Sequence, residues 1–386
     1  MRERKMHQPS RPARLSPTSG HPLKIGLFGA NCSSGRAVTM IDERWSGNWA
    51  DCLNLAKAAD DAGLDFMLPI GRWKGYGGDT DYQGASLETL TWASALLATT
   101  RQITVFGTVH APLFNPLIAA KQAATADQIG EGRFGLNIVC GWNEGEFEMF
   151  GVTQRDHAER YRYAQEWIDV VKRAWSTDED WDYEGEFFKH KGVRMRPGPF
   201  GKTRPITMNA GASAEGRAFA LRNCDAFFTT VTLANPSATA EGVRAIKQEA
   251  ISYGAPIGVY TVGMVTCRQT RQEAQEYYRY ATEERADWRA IEEILAMRDI
   301  YPETNGPEFY NARKRALASG MGGLPIVGDA DDVANVLADL NQAGLNGIGI
   351  SFINFGLELP FFAEEVLPRL ERKGARQRLT AAFEHM

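Results

Sequence analysis

An excess of positive charge is absent: 43 Lys and Arg stand against 48 Asp and Glu, for a net of −5. Nucleic-acid binding needs clustered Lys and Arg along one face, so the composition turns away from that class and toward a small-molecule partner. Cysteine is sparse, with Cys32, Cys52, Cys140, Cys224 and Cys267 scattered and never in a C-x-x-C pair. That odd, dispersed set excludes a disulfide framework and a zinc site, and fits reduced thiols in a cytoplasmic protein. The six histidines show no H-E-x-x-H and no i, i+4 pair, so no metal centre is expected. No stretch reaches the roughly 18 apolar residues of a membrane span. No G-x-G-x-x-G follows a first strand, which argues against a tightly bound dinucleotide.

What is present is alternation. Short β-branched or apolar runs at Leu23–Ala30, Asp65–Leu68, Ile103–Val109, Gly135–Val139, Ile206–Asn209, Ala226–Thr230, Gly258–Thr266 and Gly347–Phe352 are separated by longer amphipathic stretches. Strands alternating with helices give parallel βαβ units, and eight of them predict closure into a TIM (β/α)8 barrel. The turn Ala62-Gly63-Leu64-Asp65 is echoed by Ala343-Gly344-Leu345-Asn346, each leading from a helix into a strand. On the helix at Trp49–Ala62, the residues Trp49, Cys52, Leu53, Ala56 and Ala59 share one expected apolar face. Residues 1–20 read as a disordered tail and 21–386 as the barrel domain. Two segments break the alternation, 178–204 and 270–323, and are taken as insertions that form substrate walls or mere surface decoration.

In such a barrel the chemistry sits at the C-terminal ends of the strands. That rule selects Gly71, Arg72, Trp73 and Tyr76 after the second strand, Thr108 and His110 at the third, and Asn137, Trp142 and Glu146 at and after the fourth. Thr108 and Asn137 place a hydroxyl and an amide side by side, suited to orienting a polar ligand or one edge of a flat cofactor, or simply to ending two strands. Asn209-Ala210-Gly211-Ala212-Ser213 leads into a helix whose start suits a phosphate, with Ser213 as N-cap in either reading. Arg160 and Tyr161, at another helix start, either complete that phosphate site or form a charged surface turn. His110 is an acid or base near a substrate, or a structural histidine.

The stretches Gly132-Arg-Phe-Gly-Leu-Asn-Ile-Val-Cys-Gly-Trp142, Glu159-Arg160-Tyr161 and Asn209-Ala210-Gly211-Ala212-Ser213 resemble the bacterial luciferase-like flavin monooxygenases, in particular the branch with pyrimidine and dimethylsulfone monooxygenases. The resemblance runs from about Leu23 to Arg372, nearly the whole barrel. It implies a two-component enzyme that takes reduced FMN from a separate NAD(P)H:flavin reductase and uses dioxygen. Gly71, Arg72, Asn137 and Glu146 would then contact the flavin, with Arg160, Tyr161 and Ser213 at its phosphate. Thr108 and Asn137 would hold dioxygen, and Trp73, His110 and Trp142 would line the substrate pocket. Relatives are commonly dimers or tetramers, so a homo-oligomer is implied. Arg72 stands where the pyrimidine enzymes carry Lys, which turns the reading away from uracil. Val262 and Met264 occupy the places of the Arg and His that hold an anionic headgroup in alkanesulfonate enzymes. The implied substrate is therefore a neutral aromatic, heterocyclic or sulfone-like compound, unless Arg194 or Arg196 supplies a cation. Two rival readings share the barrel: a deazaflavin (F420)-dependent oxidoreductase, and a non-catalytic flavin-binding protein.

Overall fold

The computed structural model describes residues 20–377. The tail expected at 1–20 lies outside them but for Gly20. The strands are β1 (Lys24–Phe28), β2 (Phe66–Leu68), β3 (Thr104–His110), β4 (Phe134–Val139), β5 (Trp181–Glu184), β6 (Lys189–Val193), β7 (Ile206–Asn209), β8 (Ala226–Phe228), β9 (Gly258–Cys267), β10 (Leu324–Gly328) and β11 (Gly347–Ser351). Parallel pairing runs β11-β1-β2-β3-β4-β7-β8-β9, and β9 returns to β11 to close an eight-stranded barrel. The eight expected strands are these eight, each bound lying within two residues of the reading from sequence.

The echoed turns do the same work twice. Gly63 (φ 74°) and Gly344 (φ 91°) both take the left-handed conformation that lets a helix end and the chain double back. Two residues on, the Asp65 carboxylate accepts the Ile25 N–H at 2.8 Å, and the Asn346 side chain accepts the Val259 N–H at 3.0 Å. A side chain at the foot of one strand thus satisfies the backbone of its neighbour in the barrel. The helix Trp49–Asp61 buries Cys52, Leu55, Ala56, Ala59 and Asp60, so its inner face is rotated from the one expected, and Trp49 is exposed. Asp60 faces inward because its carboxylate accepts the backbone N–H groups of Arg101, Gln102 and Ile103, which lead into β3.

The barrel is filled rather than hollow. Phe66, Phe106, Phe228 and Tyr260 pack ring to ring with centroids 5.5–6.4 Å apart. Glycines make room for them. A Cβ at Gly26 would stand 2.3 Å from the Phe66 ring, and one at Gly135 or Gly347 would stand 2.4 Å from Phe106 or Tyr260. With its interior closed by aromatics, the barrel leaves only its upper rim for a ligand.

The two insertions differ in use. Segment 178–204 forms the antiparallel β5–β6 hairpin, whose Trp181, Phe188 and Val193 join the outer core. The Glu166 carboxylate, on the helix His157–Ser176, accepts the N–H groups of Glu186, Phe187 and Phe188 in the hairpin turn. Segment 270–323 is helical, and its Ala286, Ala290, Ile291, Ile294 and Leu317 pack on Val38, Tyr76 and Tyr82 from the loops after β1 and β2. The Asp287 carboxylate fastens it by accepting the N–H of Asp79 and both the N–H and hydroxyl of Thr80. The chain then returns as β10 along the later half of β9, on the edge that β8 leaves free. Pro325 is tolerated in β10 because that strand has one unpaired edge. Among the described residues no helix is long and apolar enough to cross a membrane.

Candidate active site

A cavity of about 560 Å³ opens at the C-terminal rim, in the range of small-molecule sites. Its walls come from the ends of β1 through β4 and β7, and from the helical insertion. Of the residues singled out from sequence, Gly71, Arg72, Thr108, His110, Asn137, Trp142, Arg160, Tyr161 and Ser213 line it.

One end is a cradle. Ser213 caps the helix Ala214–Asn223, accepting the Gly216 N–H at 3.0 Å. The other N–H groups of a helix's first turn have no intrahelical acceptor and favour an anion. Gly211 and Gly216 let the backbone fold tightly. A Cβ on Gly216 would stand 2.5 Å from the Tyr161 Oη and 2.8 Å from the Gly211 Cα. Arg160 donates to the Gly141 carbonyl at 2.6 Å, has no ion-pair partner among the described residues, and keeps a buried Nε without a hydrogen bond. A cation with an unused donor beside a helix start is the donor set of a phosphate site.

Further along, the Thr108 hydroxyl donates to the Pro69 carbonyl at 2.7 Å and accepts from Asn137 Nδ2 at 3.2 Å. The hydroxyl proton is thereby committed, and Thr108 faces any ligand as an acceptor. Asn137 keeps its second N–H and its carbonyl for that ligand. Gly71 lies against this pair, since a Cβ there would meet Thr108 Cγ2 at 3.0 Å and His110 Cε1 at 2.8 Å.

Arg72 is held on all sides, donating to Glu146 at 2.9 Å, to the Tyr76 hydroxyl at 2.6 Å and to Gln83 at 3.3 Å. Glu146 was expected at the flavin. It is buried behind Arg72, where the same carboxylate oxygen also accepts the Trp73 and Lys74 N–H groups. Trp73 was expected in the substrate pocket, but its ring packs on Phe114 and Phe150, away from the cavity wall. The loop turns its Arg and Tyr inward and its Trp outward, a choice of direction that strand-end position does not encode.

Burial pushes the His110 imidazole down to about 4, against the opposing pull of Glu146. It is neutral near pH 7, so its 3.8 Å approach to Glu146 is not an ion pair. A depressed folded pKa means the unfolded chain takes up the proton first, so stability is full above about pH 6.5 and is lost as pH falls toward 4. Between about pH 7.5 and about pH 5, His110→Asn is expected to lose about 2 kcal/mol less than the parent chain in urea unfolding. Equal losses would show that His110 does not resist protonation. The Cys140 thiol, also in the wall, is pushed up to about 12 by burial. The cavity therefore offers orienting dipoles and fixed cations, but no thiolate and no strong base.

Sequence reasoning missed Phe28, Arg36, Gln83, Arg298 and Met321 in the wall. Arg36 was reachable by the strand-end rule, since it follows β1 in Cys32-Ser33-Ser34-Gly35-Arg36. Arg298 and Met321 carry no local signal, because only the packing of the insertion brings them over the rim.

A parallel barrel with an anion cradle and an orienting hydroxyl–amide pair at one rim defines a barrel enzyme whose site suits a ligand that carries a phosphate. The family model for luciferase-like monooxygenases matches residues 23–347, and the chain belongs to that family. It is 28% identical over 372 residues to an FMNH2-dependent dimethylsulfone monooxygenase of Pseudomonas putida, covering 94% of this chain and 99% of the relative. It is also 28% identical to a pyrimidine monooxygenase of Escherichia coli, covering 93% and 94%. The fold matches that of a riboflavin lyase solved with modified FMN and riboflavin, at a TM-score of 0.81 with 23% identity and 92% of each chain covered.

Proposed function

We propose that this chain is the oxygenase of a two-component flavin monooxygenase, taking reduced FMN from a separate NAD(P)H:flavin reductase and oxygenating a small organic substrate. The observation that carries this reading is the continuity of one cavity from the Arg160–Tyr161–Ser213 cradle to the Thr108–Asn137 pair. The residues fit the cofactor: an orphaned Arg160 donor and a glycine-lined helix start suit its phosphate, and Gly71, Thr108 and Asn137 line the same cavity where a flat ring would lie. Bound there, reduced FMN would supply the electrons that activate dioxygen.

The protein's own part is to position and exclude. Arg160 and Ser213 hold the phosphate, Asn137 donates a hydrogen bond at the edge of the ring, and Thr108 fixes the rotamer of Asn137 through the 3.2 Å contact. Tyr76, Trp142 and the helical insertion wall the site from solvent, and neutral His110 accepts a proton only from a strong acid. The absence of a strong base suits chemistry carried by the cofactor.

The test is turnover with an unrelated FMN reductase, NADH and air, over a panel of sulfones, pyrimidines, sulfonates, carboxylates and neutral aromatics. Product that requires this protein, reduced FMN and dioxygen together is the expected result. Product formed without dioxygen, with a deazaflavin in place of FMN, would overturn the reading, as would absence of product across the panel.

A further inference from the structure

The cavity carries more positive charge than a phosphate cradle needs. Four arginines line it: Arg36, Arg72, Arg160 and Arg298. Arg72 is neutralised by Glu146, and Arg160 belongs to the cradle. Arg36 and Arg298 have no carboxylate partner among the described residues. Arg36 donates only to the backbone carbonyls of Gly320 and Met321, at 2.8 and 3.3 Å, and lies over the Phe28 ring at 4.8 Å. Burial works most against its charge, the Tyr82 and Tyr76 hydroxyls favour it, and the charge on Arg298 opposes it. Arg298 stands at the cavity mouth on the helical insertion, exposed on its outer side, with its guanidinium 5.3 Å from the Trp142 ring centroid.

The strand order locates this pair relative to the cofactor. The cradle stands on the loops after β4 and β7, and the Thr108–Asn137 pair on β3 and β4. Arg36 follows β1, across the rim from the cradle, and Arg298 lines the same cavity close enough for its charge to be felt at Arg36. Two like charges without a counter-ion face one cavity, and an anion entering between them would be attracted by both. Their flanking groups, Phe28, Trp142 and Met321, are apolar, which suits the carbon skeleton behind a charged head.

Resting on the monooxygenase reading above, we propose that the substrate carries an anionic headgroup, a carboxylate or a sulfonate, seated between Arg36 and Arg298 at the end of the cavity opposite the phosphate cradle. This replaces the neutral substrate expected from Val262 and Met264. Those side chains leave β9 without a cation, but the loop after β1 and the insertion supply two. Arg194 and Arg196, the other expected source, do not serve: Arg194 pairs with Asp180, Arg196 donates to the Asp178 carbonyl, and neither lines the cavity.

The test is binding to the FMN-loaded protein, followed by Trp fluorescence and calorimetry, of matched acid and amide probes: hexanoate with hexanamide, benzoate with benzamide, and benzenesulfonate with benzenesulfonamide. At least one acid should bind about tenfold or more tightly than its amide, as a charge-assisted contact implies. Arg298→Gln should abolish that preference and Arg298→Lys should keep part of it, with FMN affinity unchanged in both. The carboxylate and sulfonate arms decide between the two heads. Equal or tighter binding of every amide would overturn the proposal. So would loss of FMN affinity in Arg298→Gln, since the cation would then serve the cofactor. Failure of the parent chain to bind FMN at all would instead strike the monooxygenase reading, so the two failures are distinguishable.

Discussion

Thr108→Val should bind FMN almost as the parent chain does, yet form coupled product at least about a hundredfold more slowly, the scale seen when one oriented polar group at a reacting centre is lost. Valine keeps the volume and the β-branched shape that suits a buried strand position. What it removes is the hydroxyl that donates to Pro69 and anchors Asn137. The local cost in stability is that of one or two hydrogen bonds, about 1–3 kcal/mol, so the protein should still fold. Product, NADH and dioxygen consumption measured together separate coupling from rate. If product per NADH stays within a factor of two of the parent, Thr108 has no part in handling oxygen or ordering the ring.

Gly216→Ala should act at the other end, weakening FMN binding by about a hundredfold or more while leaving the fold intact, because a misplaced cradle forfeits about 3 kcal/mol of charge-assisted contacts. Propensity alone works the opposite way, since alanine in a helix is favoured over glycine by roughly 0.5–1 kcal/mol. The loss comes from space: the new methyl would press on the Tyr161 Oη and the Gly211 Cα, and the loop must open to admit it. Titration of FMN against protein fluorescence, with thermal unfolding of the same variant, reads both quantities. An unchanged FMN affinity would mean that the Gly211–Gly216 approach does not shape the phosphate end.

Much of this fold was legible because its signals are local. A parallel strand buried on both faces writes a short apolar run, and a helix that ends at a left-handed glycine writes Ala-Gly-Leu before the next strand. β10 was not legible, since Leu324–Gly328 is short, holds a proline and follows a run of glycines. Its partner is 61 residues upstream, from Gly263 to Leu324. The β5–β6 hairpin was hidden in a segment whose Gly and Pro content reads as irregular.

The site divides along the same line. Thr108, His110 and Asn137 sit on strands, where alternation fixes which way a side chain points once the barrel is granted. Trp73 and Glu146 sit in loops and a short helix, where sequence names the neighbourhood but not the direction. Glu146 became a support for Arg72, and Trp73 turned to Phe114 and Phe150. Arg298 was beyond reach altogether, because its place depends on the packing of Ile291 and Ile294 against Tyr76 and Tyr82, more than 200 residues away.

The manner in which the helical insertion is hung from the barrel has a bearing on how such enzymes diversify. It leaves β9 at Cys267 and comes back as β10, which runs beside β9 until Gly328 pairs with Cys267. Both ends are thus stapled to one strand, so the intervening chain forms a closed cassette whose length and content are decoupled from barrel closure. Loop-closure entropy grows only slowly with such a length, which leaves the cassette free to drift while the cradle below stays as it is. On the reading proposed above, the cassette carries Arg298 while the barrel loops carry Arg36 and the phosphate cradle, so exchanging the cassette between relatives should change headgroup preference and leave FMN binding as it is.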